Sequence, residues 1–276
     1  MKISYKHLVK SIYEKPSIDE ISQKLFQLGH ENEIFDDILD IDITPNRGDC
    51  LSIRGILREL KVFYTIDLYK EIYDLDIEEF QFDFINNSEE HCPFISFLHV
   101  EIDDIPSVYS SFLNEYFDDL EIKKTNFFTD ISNYISYETG QPTHCYDYNK
   151  LLKNKLSLDL NDKENSFKTL LGKELQLTDT NLVFTNEDGE IINLAGVMGG
   201  ESTACSVDTK SVIIECAFFN PEIIIGKSLK YDIKSDASYK FERGTDPKCH
   251  DEVLRRFLKI VNDHSGIKNT SIFRSN

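Results

Sequence analysis

The 276-residue chain carries 30 Lys and Arg against 49 Asp and Glu, a net charge of −19. That balance excludes a broad basic surface for gripping a nucleic-acid backbone, which needs cations that release counterions. With 40% hydrophobic and 12% aromatic residues, the chain can bury a sizeable core, divided between one large domain and one smaller one.

No apolar run approaches the ~18–20 residues that a membrane-crossing helix needs. Met1-Lys2-Ile3-Ser4-Tyr5-Lys6 runs into an amphipathic segment rather than a secretory signal. The expectation is a cytoplasmic protein with no membrane partner. The cysteines (Cys50, Cys92, Cys145, Cys205, Cys216, Cys249) contain no C-x-x-C pair. Reduced, mostly buried thiols are expected, and no metal site.

Ser17-Ile18-Asp19-Glu20 reads as a capping box. Ile18, Ile21, Leu25, Phe26 and Leu28 follow at helical spacing, and Gly29 is the stop. Glu31 to Asp37 reads as a short acidic connection. Thr44 to Gly48 is a turn with charged residues. Asp49 is placed to cap a helix with Ile53, Ile56, Leu57, Leu60 and Phe63 on its apolar face. The acidic and aromatic stretch Ile66 to Asn87 marks a boundary, giving a small domain over 1–80 and a larger one over 81–276. Phe94 to Val100 is β-like, and Ser111 to Leu120 suits a helix. Asp130, Ser132 and Asn133 precede a short helix that Gly140 ends. Gln141-Pro142-Thr143-His144 then projects from a constrained loop. Leu156, Leu158 and Leu160 alternate as in a strand. Asp188-Gly189 signals a hairpin between Leu182-Val183-Phe184 and Ile191-Ile192. Ser211 to Phe219 is a β-rich run, and Pro247 to Asp263 is a closing helix with Gly266 beyond it. Short strands and helices without a βαβ rhythm indicate an α+β fold.

Several residues could carry chemistry. His144, held behind Pro142, could orient a substrate group or a water near neutral pH, unless it is simply a packed loop histidine. Glu215 lies among Val212, Ile213, Ile214 and Ala217, so one face of its strand is dry. A carboxylate there must find a donor or shift its pKa upward. Arg243 and Lys227 are the plain structural partners, and Glu242-Arg243 reads as an ion pair. Gly196, Gly199 and Gly200 let a backbone approach a ligand closely, and their N–H groups could support an oxyanion. Their spacing matches no nucleotide fingerprint. A cysteine nucleophile is disfavoured: Cys145 directly follows His144 and faces away, and the Glu215 charge beside Cys216 raises its pKa.

Four blocks carry a likeness in order: Ala195-Gly196-Val197-Met198-Gly199-Gly200-Glu201, Glu215-Cys216-Ala217-Phe218-Phe219-Asn220-Pro221, Asp236-Ala237-Ser238 and Phe241-Glu242-Arg243-Gly244-Thr245-Asp246-Pro247. They resemble the editing domain in the beta subunit of bacterial phenylalanyl-tRNA synthetase. Thr44-Pro45-Asn46-Arg47-Gly48-Asp49-Cys50-Leu51 resembles a segment of that subunit's small N-terminal structural domain. Asp130-Ile131-Ser132-Asn133-Tyr134, followed by Gly140-Gln141-Pro142-Thr143-His144, resembles the family's D-x-T-N-Y and G-Q-P-x-H. Ser132 and Ser235 stand where Thr is usual, Phe94 where Arg is common, and Lys234 where His is common. Gly29 and Thr44 are only fifteen positions apart. The resemblance therefore implies that the family's OB-type tRNA-binding insertion is missing here, and its C-terminal modules are not expected in this chain.

The resemblance implies a small N-terminal α/β domain followed by a mixed-sheet editing domain with flanking helices. It implies hydrolysis of tyrosine mischarged onto tRNA for phenylalanine. His144 and Glu215 would be catalytic, Glu215 selecting the tyrosyl hydroxyl. Ser132, Asn133, Pro142, Gly196, Gly199, Gly200, Ser235 and Ala237 would bind substrate. Implied partners are the 3′ end of the aminoacylated tRNA, the synthetase alpha subunit and the remainder of the beta subunit. No cofactor is expected in this chain; ATP and magnesium belong to the parent complex that ligates phenylalanine. The chain alone is not expected to aminoacylate. The alternative is a non-catalytic tRNA- or partner-binding module that keeps the fold.

Overall fold

In the computed structural model, which describes residues 1–68, 71–151 and 155–275, β1 (Lys2–Ser4) leads into α1 (Tyr5–Lys10) and α2 (Ile18–Gln27). The capping box forms as its residues require: the Ser17 hydroxyl accepts from the Glu20 amide, and the Glu20 carboxylate accepts from the Ser17 amide. Ile21 and Leu25 are buried, but Phe26 is 66% exposed. One step past Leu25 turns a side chain about 100° off the apolar stripe.

The acidic connection after Gly29 is instead a hairpin. Strands β2 (Asn32–Phe35) and β3 (Ile38–Ile41) pair antiparallel, and β3 also pairs with β1. α3 (Ile53–Leu60) buries Ile53, Ile56, Leu57 and Leu60 of its predicted apolar face, while Phe63 lies beyond its end and is half-buried. Its cap is Ser52, which accepts from the Gly55 amide, and not Asp49. Gly48–Cys50 forms a 3-10 turn that sets Asp49 ahead of the helix, where it pairs with Arg47 and Arg58.

Next come β4 (Glu78–Glu79), β5 (Asp83–Asn86), β6 (Phe94–Ile102) and α4 (Ser111–Asp119). α5 (Phe127–Thr139) begins earlier than the sequence suggests. Asn126 caps it by accepting from the Thr129 amide, so Asp130, Ser132 and Asn133 lie inside the helix. Gly140 ends it in the left-handed conformation, with φ of 87°. The segment after it is a strand, β7 (Thr143–Asp147), rather than a projecting loop.

Strands β8 (Lys155–Asn161), β9 (Asn165–Lys168), β10 (Glu174–Leu177), β11 (Asn181–Thr185), β12 (Ile191–Leu194), β13 (Met198–Gly199) and β14 (Ser211–Phe218) follow. The Asp188-Gly189 turn joins β11 to β12 as expected. Short helices α6 (Pro221–Ile224), α7 (Lys227–Lys230) and α8 (Asp236–Phe241) precede α9 (His250–His264). Beyond Gly266 lies a strand absent from the sequence reading, β15 (Ile267–Ser275); it buries only Ser271 and Ile272 and shows little apolar pattern. No helix among the described residues is long and apolar enough to cross a membrane.

Two five-stranded sheets dominate, in the orders β4-β15-β6-β14-β7 and β13-β12-β11-β8-β5. The β4–β15 and β5–β8 pairs are parallel and the remaining named pairs antiparallel, so these mixed sheets with packed helices form an α+β fold. In β14, Val212, Ile214 and Cys216 join a core with α4, α5, α9 and the N-terminal elements. Ile213 and Ala217 join a second core with the other sheet. Side chains alternate along a strand, so Glu215 shares the face of Ile213 and Ala217 and points between the sheets.

Candidate functional site

The β7–β14 register sets His144 directly opposite Glu215. Period-two alternation puts His144, Tyr146 and Glu215 on one face, covered by β12 and β13 of the second sheet. Glu215 is 5% exposed. Its carboxyl accepts from the Tyr146 hydroxyl at 2.5 Å, and the Asn193 amide donates to the Tyr146 oxygen at 2.7 Å. Burial pushes Glu215 up to about 8, against the opposing hydrogen bond from Tyr146. At neutral pH it is chiefly the uncharged acid.

His144 stacks edge-on against Tyr146, with ring centroids 4.5 Å apart. Its Nε2 is buried and has no hydrogen-bond partner among the described residues. Burial pulls this imidazole down to about 4, so it is neutral at physiological pH. Gly199 lies against the ring: a Cβ there would come 2.8 Å from Nε2. Only a glycine lets β13 cover the histidine this closely.

The other predicted residues divide. Ser132 is buried and donates to the Thr143 carbonyl at 2.6 Å, tying α5 to the strand that carries His144. Pro142 is buried just before it, its carbonyl accepting from the Gln141 amide. Asn133 is exposed, one helical step away from Ser132. Gly196, with φ of 68°, faces Phe219 and Ile224 in the core. The Gly200 N–H is spent on the Ile192 carbonyl at 2.8 Å, so it is not available to an oxyanion. Ser235 caps α8 by accepting from the Ser238 amide, and Ala237 packs against the core that holds Tyr146.

The structural partners expected for Glu215 lie elsewhere. Lys227 donates to the Thr180 carbonyl, and Arg243 stacks on Tyr239. Arg243 forms no ion pair with Glu242 among the described residues. Burial holds the Cys145 and Cys216 thiols well above their ordinary range, which removes them as nucleophiles. Two site residues escaped the sequence reading, Tyr146 and Asn193. The available signal was parity for Tyr146, two positions past His144, and a lone amide among Ile192 and Leu194 for Asn193.

Elsewhere, ligand atoms of His30, Cys50 and Glu59 lie within 4.8 Å of one another. The Arg47 guanidinium occupies this corner, 2.8 Å from Glu59 and 2.9 Å from the Cys50 sulfur. It already supplies the positive charge, and burial pushes the Cys50 thiol up to about 11. The cluster is thereby an ion-paired corner of the N-terminal fold.

The profile of the B3/4 domain family matches residues 101–266, which include His144, Tyr146, Asn193 and Glu215. The chain belongs to the B3/4 domain family. The B3/4 match spans β14, α9 and the strands on both sides of the His144–Glu215 cluster. Similar curated proteins are phenylalanine–tRNA ligase beta subunits. That of Francisella tularensis is 30% identical over 237 residues, 84% of this chain and 29% of that protein. That of Neisseria gonorrhoeae is 32% identical over 234 residues, 83% of this chain and 29% of that protein. The Methylococcus capsulatus protein is 30% identical over 247 residues, 85% of this chain and 30% of that protein. The chain thus spans under a third of the length of these relatives. A crystal structure of an N-terminal fragment of the Pyrococcus horikoshii phenylalanyl-tRNA synthetase beta subunit aligns at a TM-score of 0.44 and 12% identity, over 100% of this chain and 78% of that one.

Proposed function

We propose that the His144–Glu215 pocket removes tyrosine mischarged onto tRNA for phenylalanine, as the editing module of a phenylalanine–tRNA ligase beta subunit. The observation that carries this is the strand register that sets His144 opposite Glu215 on one buried face. Water attacks the ester carbonyl. The bond from that carbon to the ribose oxygen breaks, tyrosine leaves with a free carboxylate, and the terminal adenosine regains its hydroxyl. A neutral His144 suits orientation of the water or the adenosine better than holding a proton. The ribose hydroxyl beside the ester is the remaining group able to assist.

Glu215 selects the amino acid. As an uncharged acid it both donates and accepts, which matches a phenol. A site built to bond a substrate hydroxyl rejects the analogue lacking it by ~10⁴–10⁵. Phenylalanine would be refused. In this structure the Tyr146 hydroxyl takes that place, so a substrate phenol reaches Glu215 only by displacing it. Under this proposal the partners are the tRNA 3′ end, the alpha subunit and the rest of the beta subunit, in cytoplasmic translation. ATP and magnesium would serve ligation in the parent complex.

A second proposal, a non-catalytic tRNA- or partner-binding module, draws on two observations. Glu215 already holds Tyr146, and the Gly200 N–H is already spent on Ile192. Deacylation of Tyr-tRNA and Phe-tRNA by the purified chain, with His144→Ala and Glu215→Ala, separates the two. Selective release of tyrosine, lost in either variant, supports editing. No release by a folded chain at high concentration favours the binding module.

A further inference from the structure

Three blocks singled out in the sequence take no part in the His144 pocket, yet the fold gathers them in one place. Asn46, Gly48 and Asp49, Gly140-Gln141, and Arg243 to Asp246 line a single groove of about 760 Å³. Their approach is close. A Cβ on Gly48 would lie 2.6 Å from the Arg243 carbonyl oxygen and 2.8 Å from that of Gly244, so only glycine fits there.

The groove has the chemistry of an oxyanion site. It collects Arg54, Arg58, Arg243 and Lys248 in a chain whose net charge is −19. Arg54 is held by Glu252 at 2.6 Å, and Arg58 by Asp49. Arg243 has no ion pair among the described residues. Its guanidinium lies over the Tyr239 ring, 3.5 Å from the centroid, and Nη1 donates to the Tyr239 carbonyl. The stacking fixes the plane of the group. With Nη1 committed, the Nε–Nη2 edge is the one that can grip an oxyanion through two parallel bonds.

Unmet donors converge on the same place. Arg243 Nε and the Thr245 hydroxyl are each buried with no hydrogen-bond partner, while Arg54 Nη2 is ion-paired with Glu138 at 3.8 Å. Buried donors are rarely left unmatched, and two at one groove ask for an acceptor. The carboxylates of the groove are committed: Asp49 and Glu252 to arginines, and Asp246 to the Lys248 amide. They leave room for one anionic group and repel a run of them.

Gln141 connects the groove to the pocket. It lines the groove, and His144 follows three residues later, within a chain reach of ~11 Å. We infer that the groove binds one phosphate of a nucleic-acid strand, close to the 3′ end that the His144 pocket receives. This rests on the editing proposal for its ligand. It also explains how so acidic a chain could hold a polyanion: at one local contact, with no basic surface.

The test is binding of a short, 5′-labelled single-stranded RNA to the full chain, followed by fluorescence anisotropy across a salt series. Inorganic phosphate serves as competitor. Arg243→Gln should weaken binding at least about ten-fold. It should also flatten the salt slope by about 0.7, the value for one contact on a single strand. Arg243→Lys should not restore affinity, because a point charge lacks the fork. Thr245→Val keeps the backbone and shape, and should weaken binding with the fold intact by circular dichroism. Equal affinity in Arg243→Gln, Thr245→Val and the parent chain overturns the proposal. Phosphate binding without RNA binding overturns the nucleic-acid assignment. Loss of RNA affinity in Arg243→Gln, with no deacylation by any chain, keeps the groove and removes editing. Deacylation lost in His144→Ala, with RNA affinity untouched by Arg243→Gln, does the reverse.

Discussion

The central sheet is covered by helices on one face and by a second sheet on the other, and the two faces follow different rules. Toward the helices, β6 and β14 present Leu98, Val100, Val212, Ile214 and Cys216, all fully buried. No side chain of that set ionises at neutral pH, and burial holds the Cys216 thiol protonated. Toward the second sheet, the same strands and β7 present Glu215, His99, His144 and Tyr146 among aromatics. The helix-covered face holds the fold by apolar burial. The other face buries ionisable groups in their neutral forms, which costs stability and makes it conditional on pH. That is the pattern expected where a strand serves as scaffold on one side and as site on the other.

The sharpest contrast comes from truncating each face in turn. Ile214→Ala should cost about 2–5 kcal/mol, since a fully buried branched chain is lost to a cavity beneath α5 and α9. Urea unfolding checks it through the transition midpoint; a loss under 1 kcal/mol, outside the ~2–5 kcal/mol range, would break the division of labour. Gly199→Ala adds a single methyl on the other face. Its Cβ would press on the His144 ring, so about 1–3 kcal/mol of overpacking is expected. Deacylation should fall further than stability does, because the histidine is displaced. A variant that edits normally would detach His144 from the reaction.

Tyr146→Phe tests the same face more gently. It removes one hydroxyl and leaves Glu215 and Asn193 each short of a partner, a loss of about 1–3 kcal/mol. It also frees the acceptor for a substrate phenol. Tyr-tRNA deacylation should therefore rise while the unfolding midpoint falls, an opposition that a purely structural hydroxyl would not produce.

Much of the helix-covered face was legible in the sequence. Ser211 to Phe219 reads as an apolar run because both faces of β14 are buried, and Glu215 stands out as its lone interruption. The capping box at Ser17 and the stop at Gly140 are local and survived intact. Non-local pairings did not show. β15 hydrogen-bonds β6 along most of its length, yet it hides because Lys268, Asn269 and Arg274 face solvent. The β2–β3 hairpin hides behind its acids in the same way. Asp49 was assigned a cap because it precedes a helix, while Arg47 and Arg58 drew it into ion pairs. At the candidate site, the sequence singles out Glu215 and His144, which the register sets side by side, but not the hydroxyl filling Glu215. Strand parity gives the direction Tyr146 points; that Asn193 meets it there depends on how the second sheet lies across the first.

The most diagnostic test of the two faces is one whose size depends on pH. Glu215→Gln replaces the acid by an uncharged isostere that still accepts from Tyr146. Below the ordinary value of 4.5 the parent carboxyl is neutral in both folded and unfolded chains, so the two proteins should differ little. From 4.5 to about 8 the unfolded parent ionises while the folded parent keeps its proton. The unfolded state then binds fewer protons, and parent stability falls with rising pH across that window. The glutamine chain has no such proton to lose. Its unfolding midpoint relative to the parent should climb from pH 5 to pH 8 and then level. His144 works in the opposite direction: its folded value lies near 4, so its contribution is lost as pH falls from 6.5 toward 4. Both chains keep His144, and its effect cancels in the difference. A flat difference across the window would mean that Glu215 is ionised in the folded chain. The neutral acid that the tyrosine selection needs would then be gone.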